Sequence, residues 1–66
     1  MQPDLTDHVG PITIDTYVDG AVLLYYADGV LIGRDCGNGT LERASGLGGN
    51  EGRYLSQAAA EHEGSV

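Results

Sequence analysis

Cys36 is the chain's one thiol, and it stands beside Arg34 and Asp35. A neighbouring cation lowers a thiol's pKa and so favours the nucleophilic thiolate. Nucleophilic catalysis also needs a base, and neither His8 nor His62 is placed near Cys36 by local spacing. The expected position of Cys36 is therefore a small hydrophobic one near Leu41. His8, His62 and Cys36 show none of the paired spacings, CxxC or HxxxH, that preorganise a metal site. No carboxylate run reads DxDxDG, the start of a calcium loop. The segment Gly46-Leu47-Gly48-Gly49-Asn50-Glu51 has the glycines of a phosphate cradle, but Glu51 stands where a dinucleotide fingerprint needs its third glycine. Gly33 to Thr40, GRDCGNGT, lacks the lysine of a P-loop. No cofactor, metal or catalytic residue is expected, and the chain reads as non-enzymatic.

Charge narrows the partners. Ten Asp and Glu stand against three Arg and no Lys, a net charge of -7. Affinity for nucleic acid comes mostly from cations neutralising phosphates, so direct binding to DNA or RNA is not expected. An anionic membrane surface is disfavoured on the same ground. The acid surplus itself has three readings: solubility, a GC-rich or salt-adapted source, or imitation of a DNA phosphate array that blocks a nucleic-acid-binding protein. Mimicry needs the carboxylates on one surface. Asp4, Asp7, Asp15, Asp19, Asp28, Asp35, Glu42, Glu51, Glu61 and Glu63 are spread along the whole sequence. Solubility leads, with the DNA-mimicking inhibitor as the functional alternative.

The elements that would position these groups follow from three dipeptides. Asp19-Gly20, Asp28-Gly29 and Asn38-Gly39 each suit a two-residue hairpin turn, whose central residues need positive φ. They recur every nine to ten residues, the interval of short antiparallel strands. Strands are expected over 11–18, 21–27, 30–36 and 40–45. Asn50 is the expected N-cap of a helix over 51–63, with Gly64 as its stop and Glu51 in its first turn. Tyr54, Leu55, Ala58, Ala59 and His62 share one stripe of that helix, and Arg53, Gln57 and Glu61 face away. Residues 1–10 read as an irregular arm, because Pro3 and Gly10-Pro11 give no strand signal. The fold class is α+β: a three- to four-stranded antiparallel β-meander over 11–64 followed by one C-terminal α-helix packed on the sheet. In topology this resembles the small DNA-binding domains at the front of some phage integrases. Those are basic, so the likeness transfers no function.

Turn spacing also fixes the register, and register assigns faces. Ile12, Ile14, Val18, Leu23, Tyr25, Val30 and Ile32 form the core face. Thr13, Asp15, Tyr17, Val22, Leu24, Tyr26, Leu31, Gly33 and Asp35 form the other. A face open to water should be polar throughout, yet Tyr17, Val22, Leu24, Tyr26 and Leu31 make a contiguous apolar cluster there. An arm whose large apolar groups are Leu5 and Val9 makes a poor lid for it. Exposed apolar patches with polar rims mark interfaces, where Tyr is favoured.

Oligomerisation also suits the length. Leu, Ile and Val total 15 of 66 residues, enough to fold but with a modest core, and one cysteine cannot form an intrachain disulfide. The expectation is a small acidic regulatory or accessory protein acting through protein contacts. A homo-oligomer is expected, a dimer favoured, with those five residues as the interface. Size and composition suit a phage or other mobile-element protein. MQPDLTDHVG has neither the basic nor the apolar region of a signal peptide, so a cytoplasmic protein with reduced Cys36 is expected.

Overall fold

The computed structural model describes residues 2–36 and 40–64. Its elements are β1 (Leu5–Val9), β2 (Ile12–Tyr17), β3 (Val22–Ala27), β4 (Val30–Asp35), β5 (Leu41–Arg43) and α1 (Gly49–Gly64). The strands form one antiparallel sheet in the order β1-β2-β3-β4-β5, a meander followed by a helix. The α+β class holds, with one strand more than the sequence indicated.

That strand is β1, where an irregular arm was expected. Gly10 sits at φ 57 between β1 and β2, and proline fixes the next residue at negative φ. This sign pattern is that of a type II′ turn, which takes glycine first. Gly10-Pro11 is thus a hairpin turn, and it sets Val9 opposite Ile12 and Leu5 opposite Thr16. Asp4 completes the attachment: its amide donates to the Thr16 carbonyl, and its carboxylate accepts from the Val18 amide at 2.8 Å.

The β2–β3 register is the one derived from sequence, with Ile12 opposite Ala27, Ile14 opposite Tyr25 and Thr16 opposite Leu23. The left-handed residues of its connection are Gly20 and Ala21, rather than Asp19 and Gly20. Asp28 at φ 52 and Gly29 at φ 77 make the expected primed turn between β3 and β4. The Asn38-Gly39 turn lies outside the described residues.

The β3–β4 ladder then departs from expectation. Its register shifts between Tyr25 and Tyr26, so Tyr26 faces Leu31 while Tyr25 faces Gly33, and Ile32 is the extra residue of a bulge. A one-residue shift exchanges the two faces of everything beyond it. Gly33 and Asp35 therefore turn to the core face, where Asp35 is buried, and Arg34 turns outward. Cys36, expected inside, is exposed. Val18 and Val30, also assigned to the core, are 67% and 62% exposed because they lie at hairpin ends beyond the helix's reach.

The core is Ile12, Ile14, Tyr25 and Ile32 from the sheet, with Leu55, Ala58 and Ala59 from α1. Small residues at 58 and 59 let the helix approach closely. Gly33 does the same from the sheet: a Cβ there would stand 3.0 Å from both Leu55 Cδ atoms. The helix begins two residues earlier than expected. The Gly52 amide donates to the Gly48 carbonyl at 3.0 Å, so Gly48 holds the N-cap position. Asn50 instead accepts from Arg53 within the first turn. Tyr54, expected on the buried stripe, is 44% exposed.

Polar groups clamp the helix at both ends. Arg43 on β5 donates to the Gly52 carbonyl and to Ser56 Oγ, at 3.2 and 2.6 Å. At the other end, His62 Nε2 lies 3.2 Å from Asp7 Oδ2 on β1. The helix is thereby committed to one face of the sheet.

Candidate interaction face of the sheet

The other face is covered by no element among the described residues. Strand alternation and the four ladders decide what stands on it. One row crosses all five strands: Thr6, Asp15, Leu24, Arg34 and Glu42. A second row carries His8, Thr13, Tyr26 and Leu31, and a third carries Tyr17 and Val22. The apolar cluster is thus brought together as derived. Val22, Leu24 and Tyr26 run along the central strand, with Tyr17 flanking one end and Leu31 the other. The first four are half-buried on an open face because they shield one another, and Leu31 is 45% exposed. A shallow hollow of about 310 Å³, lined by Thr16, Tyr17, Val18, Ala21, Val22 and Leu23, lies at the end of the β2–β3 hairpin, where residues of both faces meet.

The rim is polar and paired. Thr6 Oγ1 donates to Asp15 Oδ1 at 3.1 Å, and Thr13 Oγ1 lies 3.4 Å from His8 Nδ1. Across the stripe, Arg34 Nε and Nη2 both donate to Glu42 Oε2, at 3.1 and 2.8 Å. That hydrogen bond, then the charge of Glu42, raises the guanidinium's pKa further. Tyr17's phenol is pushed above its ordinary value, first by desolvation, then by the charge of Asp15 and by Tyr26. Arg34 is the member of this surface that sequence reasoning missed. The lone glycine inside its strand, Gly33, was the available signal for a bulge.

The other chemistry-bearing residues are dispersed. Cys36 follows β4, whereas His8 lies on β1, three strands away in the sheet order. His62 is engaged with Asp7 at the far edge. Among the described residues no three His, Cys, Asp or Glu side chains converge on a metal-sized site. No described helix is long and apolar enough to cross a membrane. Carboxylates occupy both faces of the sheet, two hairpin ends and the helix, and Asp35 is buried. Comparison with known protein families, curated proteins and solved structures found no match.

Proposed function

We propose that this chain is a small, acidic, non-enzymatic interaction module that works through the open face of its sheet, associating first with a second copy of itself. The observation that carries the reading is the placement of Tyr17, Val22, Leu24, Tyr26 and Leu31 on the face that the helix leaves bare. The one helix among the described residues packs on the opposite face. The N-terminal segment, the other available lid, extends the sheet edge as β1 instead. A contiguous apolar stripe with a paired polar rim has the composition of an interface core and rim. A regulatory or accessory role, of the kind small phage and mobile-element proteins perform, fits a module with one contact surface and a cytoplasmic setting.

Leu24→Asp tests the reading, because Leu24 is the centre of the stripe and contributes nothing to the helix–sheet core. The substituted chain is expected to keep its secondary structure by circular dichroism and to scatter light as a monomer where the wild type is a dimer. Unchanged association by the folded variant would contradict it.

A further inference from the structure

The row Thr6, Asp15, Leu24, Arg34, Glu42 has opposite charges at equal steps either side of its apolar centre. Adjacent strands lie about 4.8 Å apart, so Asp15 and Arg34 flank Leu24 at matching distances, with Thr6 and Glu42 one strand further out. Two copies stacked face to face by a two-fold axis can place that axis in only two simple ways through Leu24. An axis along the row sets Asp15 against the second copy's Asp15 and Arg34 against its Arg34. An axis along β3 exchanges the two sides, setting each Asp15 against the other copy's Arg34 and each Thr6 against its Glu42. Like charges face to face cost several kcal/mol, whereas opposite charges fix register. We propose that this face is self-complementary, and that a second copy of the chain docks on it about a two-fold axis parallel to β3, pairing Asp15 of each copy with Arg34 of the other.

The inference rests on the reading of this face as a contact surface and specifies its partner and geometry. Leu24 then meets its own counterpart at the centre, with Val22 and Tyr26 along the axis on either side. An isologous contact of this kind closes at two subunits. It also suits the sheet, because sheets stack with their strand directions within about 30° of each other. Arg34 has donors for both partners: a guanidinium carries five, and Glu42 takes two through one oxygen.

Exchanging charges between separate chains tests the pairing. Asp15→Arg alone gives a homodimer with cations facing cations at both contacts, and Arg34→Asp alone gives one with anions facing anions. Each is expected to raise the dimer dissociation constant roughly a hundredfold or more. Mixing the two variants restores an opposite-charge pair at both contacts, so a heterodimer should form at near wild-type affinity, resolved by native mass spectrometry of one isotope-labelled chain. The double variant Asp15→Arg/Arg34→Asp should likewise recover self-association. If Arg34→Asp does not fold beside Glu42, Arg34→Gln and Asp15→Asn serve, each weakening the dimer and the pair together weakening it less than the product of the two. A dimer broken by Leu24→Asp but indifferent to these charge exchanges overturns the two-fold arrangement and leaves the contact face standing. A wild type that stays monomeric, or a dimer that survives Leu24→Asp, overturns both.

Discussion

At the scale of single residues, Gly33 and Tyr17 mark the two faces. Gly33 lets Leu55 seat on the sheet, and the two nearest atoms a new Cβ would meet belong to that fully buried side chain. Gly33→Ala is therefore expected to cost about 1–3 kcal/mol, the range for overpacking a filled core, read as a lower urea midpoint. Tyr17 reports on the open face. Because its phenol is raised in the folded chain, the folded state holds the proton more tightly than the unfolded one. Stability is unaffected below the unfolded value of about 10 and falls as pH rises through it. The urea midpoint should drop as pH rises above about 10 in the wild type and drop less in Tyr17→Phe. Self-association would desolvate the phenol further, so the tyrosine's NMR titration should move upward with protein concentration.

At the scale of elements, the helix and the first strand do separate jobs. Leu55 is the largest side chain that α1 buries, and Leu55→Ala should cost about 2–5 kcal/mol in thermal or urea unfolding. Removing residues 1–10 would strip the partner of β2 and expose its edge, so the shortened chain should aggregate rather than merely uncover a surface. A lid would give the opposite result, a soluble folded chain with its sheet face bared. Much of this architecture was legible beforehand. The β2–β3 register, the Asp28-Gly29 turn, the helix and the apolar stripe all follow from turn spacing and alternation. What escaped has physical reasons. LTDHV has too few β-branched or aromatic residues to announce a strand, and its pairing depends on a turn carried by Gly10-Pro11. The bulge at Ile32 escaped because Val30, Leu31 and Ile32 are all apolar, so no alternation betrays a slipped register. That slip is what moves Arg34 to the outer face, Asp35 inside and Cys36 into solvent.

At the scale of the whole molecule, the chain is a two-layer fold with a partner on one side only. Its radius of gyration is 10.9 Å, against about 10.8 Å expected of a compact domain of this length. The bare face is thus a property of a folded chain rather than of a loose one. The helix, held by Arg43 and His62 at its ends and by Leu55 in the middle, covers the core face. Among the described residues no second helix covers the outer stripe. In the proposed dimer a second copy would supply the missing layer, making a sandwich of two sheets flanked by helices. Sedimentation equilibrium of the wild type across concentrations up to about 1 mM, which detects association as weak as about −4.1 kcal/mol, tests this most directly. The expected result is a mass rising to twice the 6.9 kDa of the chain and no further. A mass that stays at one chain throughout would contradict it.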